Sequence, residues 1–292
     1  MVLPVVIVVG VLVLVPLAQG IYYTFTNINE SNIANPILNR QATYKGVGFD
    51  NYAHVLSGDS SYGSFWAILA RTLIWTFSCV VLHYVVGLAL ALLLNRKMRL
   101  RGLYRVLLIL PWAVPAFISA FTWRYMFNSQ FGIINQLLES VGLPGPVWLG
   151  QSDLALVSAI IVNVWLGVPF MMLALLGGLQ SIPAELYEAA EMDGATPWQR
   201  FREVTLPGLR AVSSTVILLG VIWTFNMFAV IFLVTGINPN TRILVTYAFE
   251  RFFAGASRDF AIASTYGVLI LSVLLVFAAG YRRALRRQGE VW

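Results

Sequence analysis

Residues 184–210 read AELYEAAEMDGATPWQRFREVTLPGLR, from Ala184 to Arg210, and the order of their charges decides how the rest of the chain is read. Acids load the front (Glu185, Glu188, Glu191, Asp193) and bases the back (Arg200, Arg202, Arg210). Pro183 suits a helix start, and acids in the first turns complement the positive end of the helix dipole. Ala189 and Ala190 leave a nearly bare helix surface, and Gly194 suits the turn that ends it. Thr196 then serves as an N-cap, with Pro197 at the first helical position. On either side lies a run of 31 residues without a charge, Leu154–Ala184 and Ala211–Thr241. A polar helical corner between two such runs is a loop joining two membrane-crossing helices.

Composition extends that reading to the whole chain. Of 292 residues, 59% are hydrophobic and 11% charged, against roughly 45–50% and about 25% in soluble globular proteins. Mean hydropathy is +0.77. No soluble interior of this size hides so much apolar surface, so lipid is the solvent for most of the chain. Rare residues exclude several enzyme classes. Cys79 is the only cysteine, and His54 and His83, 29 positions apart, are the only histidines, so neither a disulfide framework nor an HExxH metal pair exists. Lys45 and Lys97, the only lysines, follow Tyr44 and Arg96, so neither ends a GxxxxGK phosphate loop. The chain is therefore not an ATPase on its own, and no metal or cofactor is expected on it.

Further charge-free runs are Met1–Asn29, Thr72–Asn95, Val106–Trp123 and Phe260–Tyr281. About 20 apolar residues cross the hydrocarbon core, so six crossings follow, near 2–26, 70–94, 106–128, 154–178, 210–234 and 260–281. The fold class is an all-α, polytopic membrane protein, one domain over 1–292, with a cytoplasmic loop at 183–207 and an external loop at 27–65. Twelve basic residues (Arg96, Lys97, Arg99, Arg101, Arg105, Arg200, Arg202, Arg210, Arg282, Arg283, Arg286, Arg287) fall on one side and five (Arg40, Lys45, Arg242, Arg251, Arg258) on the other. The asymmetry puts both termini in the cytoplasm. It also accounts for most of the +6 net charge, so nucleic acid is not an expected partner. The first run lacks a basic n-region and a small-residue cleavage site and is read as a retained helix. Met1 stands almost at the membrane edge, which leaves open a cytoplasmic leader absent from this chain.

Within the 183–207 loop, Glu188-Ala189-Ala190, three residues, Gly194, nine residues, then Val204-Thr205-Leu206-Pro207 resembles the EAA motif of importer-type ABC permeases. The family usually has Ile where Val204 stands, a change of one methylene. Asn163-Val164-Trp165-Leu166-Gly167, Pro169, and Gly178-Leu179-Gln180-Ser181-Ile182-Pro183 are similar to the maltose/maltodextrin-type sugar permeases, as are Gly48-Phe49-Asp50-Asn51-Tyr52 and Pro111-Trp112-Ala113. The resemblance implies an ABC type I importer permease fold with a coupling helix, in a bacterial cytoplasmic membrane. It further implies a second permease subunit in a heterodimer, two ATP-binding subunits that use ATP and Mg, and an extracytoplasmic sugar-binding protein. Glu185, Glu188, Ala189, Ala190, Asp193, Gly194, Leu206 and Pro207 would couple to the ATPase. The enteric members carry extra helices and a large periplasmic insertion, whereas the longest external loop here, Asn27–Phe65, has about 39 residues.

Two helix faces are candidates for the substrate path. Asn163, Leu166, Gly167 and Phe170 stand at i, i+3, i+4 and i+7 beside Pro169, and Gly220, Trp223, Thr224 and Met227 repeat the spacing with Asn226 alongside. Leu166, Gly167, Phe170, Gly220, Trp223 and Thr224 fall where the maltose-type family contacts sugar. Glycine, threonine, asparagine and aromatics are also the usual packing residues between transmembrane helices, so packing is the competing reading. Neither 31-residue run holds Arg or Lys, which favours neutral cargo over the alternative of glycerol 3-phosphate. An ion-coupled secondary transporter would need intramembrane acids, and no Asp or Glu lies in the six runs. His83 is expected as an interhelical hydrogen bond, Cys79 as packing, and Gly177-Gly178 as a point of close helix approach.

Overall fold

A computed structural model of the chain describes residues 3–35, 37, 39–58, 64–254 and 258–287. The first residues of the 2–26 span, residues 36, 38 and 59–63 of the 27–65 loop, and the chain's end from 288 lie outside them. Among the described residues the regular elements are helices, joined by loops and turns, with two isolated bridges, Thr26 with Gly46 and Asn35 with Arg40.

Among the described residues, Pro4–Thr24, Phe65–Asn95, Asp153–Gln180 and Phe260–Arg286 are long and apolar enough to cross a membrane. Two bent pairs bring the count to six when each is taken as one crossing: Arg101–Ala113 with Ala116–Met126, bent by 91°, and Pro197–Gly208 with Arg210–Phe225, bent by 65°. The run expected as one straight helix over 106–128 is therefore two, α5 (Arg101–Ala113) and α6 (Ala116–Met126). Proline is the cause. Pro115 disfavours the helical conformation of the residue before it, and Val114 is extended at ψ 131°. The 210–234 run also breaks, into α12 (Arg210–Phe225) and α13 (Phe228–Thr235). There Asn226 donates its side-chain amide to Ile222 O at 3.0 Å, a local bond that competes with helix continuation. By contrast α8 (Ser152–Gln180) runs unbroken through Pro169.

The chain was expected as one domain, and its contacts cluster into two compact units: Met1–Thr72 with Arg242–Phe277, and Leu73–Thr241 with Ala278–Trp292. Two of the three divisions fall inside the helices α4 (Phe65–Asn95) and α15 (Phe260–Arg287), and the third falls in the Gly-, Asn- and Pro-containing connection that ends at Thr241. In the first unit, the apolar side chains from Val5 to Leu17 stand exposed along one helical stretch, a surface suited to lipid. Asn51 then ties the 27–65 loop down, donating to Thr24 O and Thr26 O at 2.7 Å each, with Gly48 taking the positive φ of 59° that starts this turn. A polar cluster closes the unit: Arg242 pairs with the buried Glu250 at 2.8 Å, and Arg71 donates to Arg242 O. Burial pushes the Glu250 carboxyl above its ordinary range, and Arg242 opposes the rise.

The second unit is built on α8. Its core joins Leu88, Ala91 and Leu94 of α4 to Met171, Met172, Leu175, Leu176 and Leu179 of α8, with Leu209 and Val216. Gly87 makes this packing possible, because a Cβ there would lie 3.0 Å from Met171 Cβ and 3.1 Å from the Met172 backbone nitrogen.

Candidate functional site

The 183–207 loop folds as the order of its residues dictates. Helix α9 (Ala184–Met192) starts after Pro183. It ends in a Schellman turn: Ala195 N donates to Ala190 O at 2.9 Å, Gly194 N donates to Glu191 O at 3.0 Å, and Gly194 sits at φ +76°. The next turn, α10 (Pro197–Arg200), opens with a capping box in which Thr196 and Gln199 exchange side-chain and backbone bonds. A π-helical turn, Phe201–Thr205, and the short α11 (Leu206–Gly208) lead into α12.

The corner is braced from within. Tyr187 and Thr205 hydroxyls lie 3.1 Å apart, Trp198 packs on Phe201, and Arg200 pairs with Glu191 at 3.3 Å. That exposed pair contributes at most about 1 kcal/mol, so packing carries the brace. Glycines set the seat: a Cβ on Gly208 would lie 2.7 Å from Ile182, and one on Gly178 2.9 Å from Leu209. Gly177, expected beside it as a contact point, faces open space.

The eight candidate coupling residues separate into two sets. Glu185, Glu188, Ala189, Asp193 and Gly194 are exposed and Ala190 is half-buried, forming the outward face of α9 and its turn. Leu206 and Pro207 are half-buried, and Leu206 packs against the core, so they anchor the corner to the bundle. The outward face also presents Leu186, Met192 (90% exposed) and Trp198. Spacing did not single out these apolar residues, although an exposed methionine and tryptophan flanking a charged helix are the available signal for a docking surface.

The two candidate helix faces meet at one cavity of about 370 Å³. Asn163, Leu166, Gly167, Phe170, Gly220, Trp223, Thr224 and Met227 line it, and Asn226, turned back on its own helix, does not. The α5–α6 break supplies the remaining wall, from Trp112 to Ala116, with His83 and Met171. These were not among the candidates, although Pro111 and Pro115 four residues apart carry the signal of a broken helix.

Rings and polar groups in the cavity are held in defined positions. Phe170 bridges Trp112 and Trp223, with ring centroids 6.4 Å and 5.0 Å away. His83 Nε2 donates to Asn163 O at 2.9 Å, which assigns the proton to that nitrogen because a carbonyl only accepts. Trp75 Nε1 donates to Thr224 O at 2.9 Å. The Asn163 amide nitrogen is buried with no oxygen or nitrogen partner among the described residues, and its polar neighbour is the Cys79 thiol, a weak acceptor. Among the described residues, no Arg, Lys, Asp or Glu lines the cavity.

Comparison with known proteins follows the same outline. Residues 83–288 match the family described as binding-protein-dependent transport system inner membrane component. The chain is similar to the trehalose/maltose transport system permease protein MalF of Thermococcus litoralis, 37% identical over 242 residues, covering 82% of this chain and 80% of that protein. It is similar to the inner membrane ABC transporter permease protein YcjO of Escherichia coli, 36% identical over 278 residues and covering 94% and 90%. Against the maltose/maltodextrin permease MalF of Klebsiella aerogenes it is 35% identical over 256 residues, 84% of this chain but 50% of that protein, so it spans about half of that relative's length. Among solved structures, a bacterial ABC transporter involved in the import of the acidic polysaccharide alginate shares the fold, with a TM-score of 0.81 over 98% of this chain and 94% of that one at 23% identity.

Proposed function

This chain belongs to the binding-protein-dependent transport system inner membrane components, and from that premise we propose that it forms half of the path for a neutral sugar, of the maltose, maltodextrin or trehalose kind. It is a multi-pass inner-membrane permease subunit of an ABC importer, and not itself an enzyme. The observation that carries the sugar reading is the cavity: three aromatic rings, the buried Asn163 amide with only the weakly accepting Cys79 thiol beside it, the Thr224 and His83 side chains, and no charged side chain among the described residues that line it. Aromatic faces stack against the C–H face of a sugar ring, while amide and hydroxyl groups meet its hydroxyls. A neutral wall leaves a carboxylate or phosphate without a countercharge in a low-dielectric site, which is costly. A second concavity of about 520 Å³, lined by Leu82, Val86, Leu107, Ile161 and other apolar side chains, offers no comparable polar set.

Energy for transport comes from a separate ATPase that uses ATP and Mg and docks on α9. Ala189 admits close approach, Glu188 offers a carboxylate to a basic partner, and the Gly194 turn fixes the helix direction. A second permease subunit completes the path, and an external binding protein delivers the sugar. Both termini lie on the ATPase side. Closure of the ATPase dimer then favours one of two bundle arrangements, opening the cavity alternately to either side.

The test is ATP hydrolysis by the reconstituted complex across a ligand panel. Neutral α-glucosides, presented with their binding protein, should stimulate, and Asn163→Leu should weaken that stimulation while leaving the complex assembled. Strict stimulation by glycerol 3-phosphate or an acidic polysaccharide would overturn the neutral-sugar reading.

A further inference from the structure

Five basic residues, Arg96, Lys97, Arg99, Arg101 and Arg105, lie at the junction of α4 and α5, in a stretch with no acid between Asp59 and Glu139. Membrane topology accounts for their sign, and their geometry asks for more. Arg101 and Arg105 stand four apart, on one face of α5. Arg101 Nε and Nη2 and Arg105 Nε are shielded from solvent and have no acceptor among the described residues. A shielded guanidinium nitrogen without a partner is unfavourable, so such groups in a native protein call for an acceptor.

The same helix continues into an apolar groove. Leu107, Leu108 and Pro111 of α5 line the 520 Å³ concavity with Leu82 and Val86 of α4 and Ile161 of α8. At 1.5 Å rise per residue, its floor begins about 3 Å along the helix axis from Arg105 and extends to about 9 Å. Beside it, Leu103, Val106 and Leu110 are exposed by half or more. A ligand that satisfies both features must be anionic at one end and hydrocarbon at the other.

We infer that Arg101, Arg105 and the apolar groove form a site for an anionic phospholipid, with the phosphate on the two guanidiniums and an acyl chain in the groove. Paired guanidiniums suit a phosphate because their forked N–H groups match its oxygens. The remaining basic residues add attraction at the membrane surface, where each is worth roughly a 5-fold change in binding.

The experiment is native mass spectrometry of the full chain in detergent, titrated with phosphatidylglycerol and phosphatidylcholine. Phosphatidylglycerol should be retained in preference. R101Q/R105Q should weaken that retention by roughly 10-fold or more, because each guanidinium loses charge-assisted hydrogen bonds to the phosphate, while R282Q/R283Q, which removes the same charge elsewhere, should fall well short of that loss. Ile161→Trp, which fills the groove, should lower retention of the same lipid at an unchanged melting temperature. If R101Q/R105Q fails to insert, R101K/R105K keeps the charge but loses the fork, and a drop of a few fold is expected. Equal retention of the two lipids, or equal loss in R282Q/R283Q, would overturn the site. So would full competition by inorganic phosphate with Ile161→Trp silent, which would make this a free-anion site. Exclusion of phosphatidylglycerol from the site in the assembled complex, with an acidic segment of a partner subunit cross-linking to Arg101, would overturn it as well.

Discussion

Gly167→Ala tests the geometry of the cavity with a single carbon atom. A Cβ at this position would lie 2.4 Å from His83 Nε2 and 2.5 Å from Cε1, and ordinary contact begins at 3.4 Å, so the ring must retreat by about 1 Å. That retreat stretches the 2.9 Å bond from His83 Nε2 to Asn163 O beyond hydrogen-bonding range. Overpacking costs about 1–3 kcal/mol, and a buried donor stripped of its acceptor about 1–3 kcal/mol. The two terms share one displacement, so the sum is roughly 2–4 kcal/mol. At about 2–4 °C per kcal/mol for a large domain, the melting temperature should fall by roughly 4–16 °C. The assay is thermal melting of the purified chain followed by tryptophan fluorescence. The decisive arm is the double variant. His83→Ala removes the obstacle, so His83→Ala/Gly167→Ala should be more stable than the sum of the single effects by at least about 1 kcal/mol, outside the scatter for independent sites. Gly167→Ala melting with the wild type, or a strictly additive double variant, would refute the packing of His83 against Gly167.

The other expectations concern the corner and the Arg242–Glu250 cluster. Glu188→Lys should leave membrane insertion and melting unchanged but abolish co-purification of the ATPase or transport, because loss of a desolvated charge partner costs about 2–5 kcal/mol; normal pull-down with normal transport refutes the role. Gly194→Val should destabilise the corner by about 1–2 kcal/mol, since its φ of +76° is disfavoured for a residue with a Cβ, and hydrogen exchange at Ala195 should rise first. Gly178→Leu should force Leu209 out of its seat and lower the melting temperature by several degrees, whereas Gly177→Leu should not. For Glu250, burial raises the folded-state pKa above the ordinary 4.5, so the folded chain binds the proton more tightly than the unfolded chain. Its contribution is therefore greatest below about 4.5 and declines as pH rises through the folded value. Melting from pH 4 to 7 should show that decline in the wild type and a flatter profile in Glu250→Gln.

Much of the corner was legible because its signals are local. Pro183, Gly194, Thr196 and Pro197 each act on their own backbone, and a Schellman turn and a capping box need no distant partner. The cavity was legible in part for a related reason. Residues at i, i+3, i+4 and i+7 share a face as long as the helix continues, and eight of the nine candidates line one cavity, Met227 from the break after α12. Asn226 departs because a polar side chain can bond its own helix, as it does to Ile222 O, and spacing does not register that choice. Trp112 and His83 were not candidates because their place depends on a third and a fourth helix. The Val114 break turns the chain by 91° between Ala113 and Ala116, and apolar run length carries no information about direction.

A packed column inside the second unit joins the corner to the cavity. Leu209, fully buried at the end of the corner, shares a core with Leu175, Leu176 and Leu179 of α8, and the same core ends at Met171. Met171 also lines the cavity and fits between glycines, 3.0 Å from the Cβ that Gly87 lacks and 3.6 Å from the one that Gly220 lacks. Interiors packed to crystal density do not absorb a displacement at one end; they shift or repack as blocks. The glycines at 87 and 178 leave no slack in this column, because a Cβ on either would lie 3.0 Å or less from Met171 or Leu209. A movement of Leu209 imposed at the corner therefore reaches the wall of the cavity through α8 itself, without any charged relay through the membrane. Met171→Ala separates this mechanical role from sugar contact: it should reduce the stimulation of ATP hydrolysis by sugar more than it reduces sugar binding, and equal loss of both would place Met171 in the binding wall alone.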